Sequence, residues 1–213
     1  MLAIIGVLSV GGIAGYSKAM NKYKINKTTD QVSMLVANIR TLFSTQGTYT
    51  GLGNGQAVKF GIVPNDMYNA ASLTGNYASD SDFKLSNAFG GQVYIKPSDL
   101  SAAGDGAAFT IEYTNLSTEA CVTIVTGDWG SGQGSGLVGI TAGAGSDSYT
   151  ASPFNSLNTF YVGHPEGGSG KVASPDAHGG NTGVPTPVAV AKAIEWCNVT
   201  ENNKQPAVAW KYY

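Results

Sequence analysis

The first sixteen residues of the chain carry no charged side chain, whereas the rest of the sequence is polar and rich in glycine. This apolar run ends at Ser17-Lys18, and Lys22, Lys24 and Lys27 follow it. A soluble domain does not leave such an apolar terminal segment exposed to water, so the run must enter a membrane, contact a partner or be removed. A cleaved secretory signal is disfavoured, because its positive charge would precede the apolar stretch.

A membrane anchor fits the run better than a signal peptide does, but the run is short for a span. Crossing the bilayer core takes about 20 apolar residues. A lysine-rich flank also tends to stay in the cytoplasm, which would leave the large domain there. Both difficulties ease if a few residues, including a basic leader, precede Met1. We therefore expect the natural chain to begin upstream of Met1.

Composition limits the class of the remaining chain. About 190 residues follow the run, which is enough for one domain with a hydrophobic core. Charged residues make up 12% of the sequence and 29 residues are glycine, a balance typical of exported surface proteins. The net charge of −2 predicts no general attraction to nucleic acid or to anionic lipid.

The sequence has two cysteines, Cys121 and Cys197, without the CxxC spacing of a zinc or redox motif. In an exported protein they most simply form one disulfide. The alternative is a pair of reduced, buried thiols in a cytosolic protein.

Apolar residues recur at helical spacing well beyond the N-terminal run. This pattern predicts a helix that continues to about Gln46-Gly47 and packs against a sheet through one apolar stripe. At 1.5 Å per residue the helix would be about 65–70 Å long, so its first half must protrude from any compact domain. The stripe consists of Val32, Leu35, Val36, Ile39, Leu42 and Phe43.

The rest of the chain is interpreted as an antiparallel sheet separated by glycine-rich loops. Alternating apolar and polar residues predict strands, proline in a first turn predicts a second helix, and Gly/Ser-rich stretches predict exposed loops. The predicted strands are 92–95, 108–113, 121–125, 160–162 and 207–213, the helix is 187–196, and the loops are 48–108, 127–152 and 163–185. The fold class is therefore α+β.

Several of these segments, in this order, resemble the type IVb branch of the type IV pilins. The stretch Ala3-Ile4-Ile5-Gly6-Val7-Leu8 looks like the middle of the N-terminal pilin helix. The later matches are Gln46-Gly47-Thr48-Tyr49, Val63-Pro64, Asn87-Ala88-Phe89-Gly90-Gly91, Phe109-Thr110-Ile111-Glu112-Tyr113 ahead of Cys121, and the late cysteine pair.

The resemblance implies a structural subunit of an extracellular filament that serves adhesion, aggregation or conjugative mating. Partners would be identical subunits, the inner membrane before assembly, the assembly machinery with its prepilin peptidase, and surface receptors. No cofactor and no nucleic acid would be bound. In this family the N-terminal helices bundle in the filament core, which here implies the residues Leu2, Ile4, Ile5, Gly6, Val7, Leu8, Val10 and Ile13.

The resemblance also implies a division of the chain into two parts. Residues 1–27 would form the protruding assembly or membrane helix, and residues 28–213 the globular head. Within the head we expect an amphipathic helix at 28–47, a connecting loop at 48–108, and a sheet with a disulfide-bounded region at 109–213. Pilins carry an acidic residue near their mature N-terminus, and its absence from the run suggests that roughly eight mature residues precede Met1.

Catalysis has weak support in the sequence. His164 and His178 have Glu166 and Asp176 two positions away, but they lie in glycine-rich stretches typical of solvated loops. Asp80-Ser81-Asp82 lacks the glycine and distal glutamate of an EF-type calcium loop. Trp129, Trp196 and Trp210 are interpreted as core or interface residues rather than a sugar platform.

The sequence thus favours a filament subunit and leaves two alternatives. One is a minor pilin or a secretion pseudopilin. The other, from a different class, is a membrane-anchored binding or enzymatic domain.

Overall fold

The computed structural model describes residues 2–73, 83–99, 106–130, 135–145, 187–200 and 204–213, with the backbone alone at 2–12 and at Ser72. Within these ranges a long helix crosses one face of an antiparallel sheet, as the sequence predicts. The predicted strand at 160–162 and the loop at 163–185 lie outside the described residues.

The first element, α1 (Leu2–Phe43), is one continuous helix. Its 42 residues correspond to about 63 Å at 1.5 Å per residue. It ends a few residues before the predicted stop, because Gln46 N–H donates to Phe43 C=O (3.0 Å) and Gly47 turns the chain with a φ of +65°. Positive φ is strained for other residues and easy for glycine.

In the described part of the chain the sheet has five strands in the order β1-β2-β3-β5-β4, and every neighbouring pair is antiparallel. The predicted antiparallel sheet is confirmed. The C-terminal strand pairs on both sides, with β3 and with β4, so it lies inside the sheet. The strands are β1 (Leu85–Ser86), β2 (Gln92–Ser98), β3 (Ala108–Tyr113), β4 (Leu137–Ala144) and β5 (Pro206–Tyr212).

The predicted strand at 121–125 is wrong, since this segment is part of the helix α3 (Thr118–Val125). Ser117 begins it as an N-cap whose Oγ accepts a hydrogen bond from Ala120 N–H (3.2 Å). Ser, Thr, Asp and Asn favour this position, because their oxygens satisfy free N–H groups of the first turn. Because the β-branched residues of this segment favour a strand, its sequence does not reveal that Ser117 caps a helix.

The predicted loop at 127–152 is also wrong in part, because it contains β4. This strand is rich in glycine and alanine, which are depleted in strands generally, so its sequence pattern does not indicate a strand. Pairing with β5 along its length stabilises the segment as a strand despite its low strand propensity. The loop-rich segment predicted at 48–108 likewise contains the unpredicted elements α2 (Asn54–Lys59), two 3-10 turns and β1, whereas its predicted strand at 92–95 is β2. The second predicted helix begins three positions late, as α4 (Val190–Cys197).

The core lies between α1 and the sheet. Alternate residues of β3 and β5 point into it, including Ile111, Tyr113 and Val208. Trp210 is fully buried, and its ring lies 4.9 Å from that of Trp129 and 5.8 Å from that of Tyr113. Trp196 is also buried and Trp129 packs partly against the core. The tryptophans are therefore packing residues.

Cys121 of α3 and Cys197 of α4 form the predicted disulfide, with Cα atoms 5.8 Å apart and both side chains fully buried. The alternative of two reduced thiols is wrong. The bond fixes two eight-residue helices to each other beside the sheet.

Candidate functional site

The N-terminal part of α1 extends beyond the globular body. Side chains from Ile13 to Ala19 are exposed, and Ile13 and Tyr16 are each 68% exposed. The other predicted filament-core residues lie on described helical backbone, but their side chains are outside the description; they are Leu2, Ile4, Ile5, Gly6, Val7, Leu8 and Val10. Among the residues that the structure describes, none of the helices has the length and hydropathy required of a bilayer span.

The globular body, which we call the head, is hydrogen-bonded to α1 at Asn21. The Asn21 amide donates to Glu119 of α3 (2.7 Å), and the Lys24 ammonium lies 5.6 Å from the centre of the Phe89 ring. Ile25 is already buried. Packing therefore begins within the segment 1–27 for which the sequence predicted a protruding helix.

A further contact joins α1 to the segment after α2. Lys27 Nζ lies 2.7 Å from Asp66 Oδ2, and Gln31 Nε2 donates to the same oxygen (3.1 Å). The hydrogen bond from Lys27 lowers the pKa of Asp66, and the same bond raises the pKa of Lys27. Both side chains keep considerable exposure, 32% and 45%, so solvent screens the pair and its energy is small.

Replacing Lys27 with glutamine should lower the free energy of unfolding by about 0.2–1 kcal/mol near pH 7, the range for exposed ion pairs. Because the pKa of Asp66 is lowered in the folded state, the pair stabilises the protein above the unfolded pKa of Asp66. This stabilisation is lost as pH falls through the lowered folded pKa. At the alkaline end it is lost as pH rises through the raised pKa of Lys27. Urea unfolding at neutral and acidic pH measures the difference.

Lys59→Gln is the matched control for this substitution, since Lys59 is exposed and the charge change is the same. An effect of Lys27→Gln that persisted undiminished in acid would contradict the pairing with Asp66.

The stripe of α1 is buried at most of its predicted positions. Val32, Leu35 and Ile39 are fully buried, Phe43 is 6% exposed, and Val36 packs partly against the core. Leu42 was predicted to pack on the sheet, but it is 38% exposed. At 100° per residue it lies on the flank of the stripe, and Phe43 occupies the central position.

We group Leu42 with two other exposed apolar side chains, Met34 and Phe60, and call the three the flank patch. These side chains are 38%, 49% and 51% exposed respectively. Met34 and Leu42 lie one helical turn on either side of Asn38, whose amide donates to Ile62 C=O (2.9 Å). Phe60 is two residues from Ile62 in the chain, so this hydrogen bond holds the segment that contains Phe60 against α1.

A second exposed apolar surface lies on α4. Val190 and Ile194 are 59% and 52% exposed, and their i, i+4 spacing places them on one face. The adjoining face of the helix is buried through Ala193, Trp196 and Cys197. We call Val190 and Ile194 the α4 patch. The head thus presents two different apolar patches on different elements.

Buried polar side chains hold the elements of the head together, and the sequence pattern does not reveal them. Asn54 is fully buried; its amide nitrogen donates to Phe83 C=O (2.7 Å) and Val93 C=O (2.9 Å), and its oxygen accepts from Ile95 N–H (2.8 Å). The β1 strand pairs with β2 only at Gln92 and Val93. Asn54 therefore satisfies the outer edge of β2 where its neighbouring strand ends.

Asn87 organises the turn within the segment 87–91 that resembles pilins. Its oxygen accepts from Phe89 N–H (2.9 Å) and Gly91 N–H (3.0 Å), and its nitrogen donates to Thr114 C=O (2.8 Å). A Cβ at Gly91 would lie 2.0 Å from the Thr114 oxygen. The close approach of two backbones explains why glycine is required there.

Arg40 connects α1 to the far end of the sheet. Its guanidinium donates to Ser135 C=O (2.7 Å) and to the main-chain oxygen of Tyr213 (2.9 Å), and lies 5.2 Å from the Tyr212 ring centre. A charged residue in an amphipathic helix usually indicates only a solvent face, so the sequence gives no signal for this role.

The acidic and histidine residues weighed for metal binding or catalysis lie outside the described residues: Asp80, Asp82, His164, Glu166, Asp176 and His178. In the described ranges, His, Cys, Asp and Glu side chains form no group of three able to hold a metal ion.

Comparison with known proteins gives a family and a fold. The family described as "PilS N terminal" matches residues 22–159. The major structural subunit of bundle-forming pilus from Escherichia coli O127:H6 is 24% identical over 126 residues, which cover 59% of this chain and 58% of that protein. The match therefore spans less than two thirds of the relative's length.

Two solved pilin structures are similar to the chain. The type IV pilin TcpA of Vibrio cholerae El Tor biotype superposes with a TM-score of 0.51 at 17% identity, covering 90% of this chain and 99% of that one. For a type IV b pilin from Salmonella typhi the TM-score is 0.45 at 18% identity, covering 84% and 93%. The TcpA likeness shows the type IV pilin fold.

Proposed function

The chain belongs to the PilS N-terminal family, and from that premise we propose that it is a structural subunit of an extracellular type IV pilus. The relative from Escherichia coli is described as a major structural subunit of a pilus. We assign the same role to this chain, as a homopolymer on the cell surface that performs no catalysis.

The observation that carries this proposal is the continuity of α1. One helix runs from Leu2 to Phe43, the head is hydrogen-bonded to it at Asn21, and the first sixteen residues carry no charge. Such a helix is stable in water only when its apolar surface is covered. Packing the protruding segments of many subunits together provides that cover.

The flank patch and the α4 patch lie on the head, and we assign them to contacts between subunits outside the helical core of the filament. An open helical polymer needs two different surfaces on each subunit, one that contacts the next copy and one that contacts the previous copy. We propose that the flank patch of one subunit contacts the α4 patch of another. Their small size agrees with a role secondary to that of the helix.

Three finer assignments accompany the proposal. We place the boundary between the protruding helix and the head near Met20, because residues 13–19 are exposed and Asn21 is hydrogen-bonded to the head. Before assembly the apolar run would lie in the inner membrane, with the head outside the cytoplasm, where the disulfide forms. A prepilin peptidase and the assembly machinery would act at that stage, and surface receptors would contact the finished fibre.

Electron microscopy of cells that express the chain, and of cells that lack it, tests the proposal. We expect filaments only in the first, and we expect Phe60→Asp and Ile194→Asp each to reduce filament number by at least about tenfold, since a buried unpaired carboxylate costs well over 1.4 kcal/mol. Lys59→Asp introduces the same group beside Phe60 at an exposed polar position and serves as control.

Identical filaments on cells that express the folded, disulfide-bonded chain and on cells that lack it would contradict the proposal. Normal filaments from both patch variants would contradict the patch assignment alone.

A further inference from the structure

The stretch of α1 that joins the apolar run to the head, residues 16–23, carries exposed basic and aromatic side chains. Tyr16 and Tyr23 are 68% and 59% exposed, and Lys18 and Lys22 are exposed as well. We call these four residues the junction collar. It lies where the helix leaves the head and becomes apolar.

The lysines that follow the apolar run differ in their surroundings. Lys24 lies over the Phe89 ring and Lys27 pairs with Asp66, so both contribute to holding the head on α1. Lys18 and Lys22 form no ion pair with any residue that the structure describes. The first acidic residue of the chain is Asp30, and Glu119 meets this stretch through its hydrogen bond with Asn21.

We propose that the junction collar binds the anionic headgroups of a phospholipid bilayer while the apolar run lies in its hydrocarbon. The inference rests on the membrane stage of the proposed function and names the lipid class that this stage requires. The collar sets the depth of α1 in the membrane before the subunit leaves for the filament.

The arrangement of the collar suits a helix that enters a bilayer end-on. Lys18 and Lys22 are one turn apart on one face, and Tyr16 and Tyr23 lie on a nearly opposite face at 100° per residue. The four side chains therefore cover a little under half of the helix circumference. The collar is about 10 Å tall at 1.5 Å per residue, and a headgroup layer is about 5–8 Å thick on each side, a difference that flexible lysine stems accommodate.

Two physical terms act at this level of the membrane. Tyrosine is enriched at the membrane interface, because its ring is apolar and its hydroxyl remains hydrated. A lysine close to an anionic surface gains about 1 kcal/mol. The overall net charge of −2 does not oppose this local attraction, since charges beyond about 8–10 Å are largely screened in physiological salt.

Partitioning of the full chain into vesicles tests the proposal. The vesicles contain phosphatidylcholine alone or phosphatidylcholine with phosphatidylglycerol, and bound protein is measured by flotation at low and high salt. We expect the wild type to prefer the anionic vesicles. The double variant Lys18→Gln/Lys22→Gln should lose roughly 30-fold of that preference, the equivalent of about 1 kcal/mol for each lysine.

The double variant Lys59→Gln/Lys84→Gln is the matched control, because it removes the same charge from exposed lysines of the head. It should keep the wild-type preference. Tyr16→Ser/Tyr23→Ser should weaken binding to both vesicle types and leave their ratio unchanged.

Equal partitioning of the wild type into both vesicle types overturns the collar proposal and leaves the membrane stage standing. Binding to neither type overturns both. If the lysine variant binds vesicles normally but forms no filaments, the collar contacts a second subunit instead of lipid, and the proposal is again overturned. Filament formation reports separately on the proposed function.

Discussion

Replacing Cys121 and Cys197 together with alanine is expected to lower the free energy of unfolding by roughly 4–5 kcal/mol. The cysteines are 76 residues apart in sequence, and a cross-link over about that length restricts the unfolded chain by about 4.5 kcal/mol on the loop-entropy account. Most domains are stable by only about 5–15 kcal/mol, so the loss is a large part of the total.

Urea unfolding followed by tryptophan fluorescence measures this effect, because Trp210 and Trp129 report on packing in the core. The matched control is the wild type unfolded and refolded under reducing conditions. If the cross-link itself stabilises the fold, the reduced wild type and the double variant should show similar midpoints.

Loss of the disulfide should also reduce filament formation, because the α4 patch (Val190 and Ile194) lies on a helix that the disulfide bonds to α3. A double variant that lost less than about 1 kcal/mol, well below the usual range for native disulfides, would contradict this account. Packing of α3 and α4 would then suffice without the bond.

Replacing Asn54 with alanine is expected to lower the free energy of unfolding by about 3–5 kcal/mol, because buried partners left without a hydrogen bond each cost about 1–3 kcal/mol. The amide contacts Phe83 C=O, Val93 C=O and Ile95 N–H within a fully buried site. Water cannot replace these contacts without opening the edge of β2.

Two comparison variants make this result specific. Asn54→Asp keeps the shape of the side chain but loses both donors, so it should be about as destabilising as alanine. Asn69→Ala removes one exposed bond to Ala71 N–H and should cost about 1 kcal/mol or less. Equal midpoints for Asn54→Ala and Asn69→Ala in urea would show that the edge of β2 does not depend on Asn54.

Hydrophobic periodicity was sufficient to predict the elements with the largest apolar faces. The stripe on α1 and the alternation in β3 depend only on local spacing, and both elements lie where the sequence places them. Periodicity misassigned the α3 segment, because its apolar residues also fit a strand. The segment is a helix, and Ser117 is its N-cap.

Other parts of the head have no local signal. The strand β4 contains glycine and alanine and becomes a strand by pairing with β5. Asn54, Asn87 and Arg40 look like ordinary polar residues in the sequence, because their partners come from distant segments. Exposure of Leu42 likewise depends on which residue of the last turn of α1 meets the core.

The sequence by itself determined a long helix with an apolar N-terminal half, an antiparallel sheet, one disulfide and a resemblance to pilins. These follow from spacing, composition and the number of cysteines. The tertiary structure alone decided where the head begins on α1, which lysines hold it and which remain exposed at the junction, and which apolar side chains form patches. Each of these depends on contacts between residues far apart in the chain, and local patterns carry no information about such contacts.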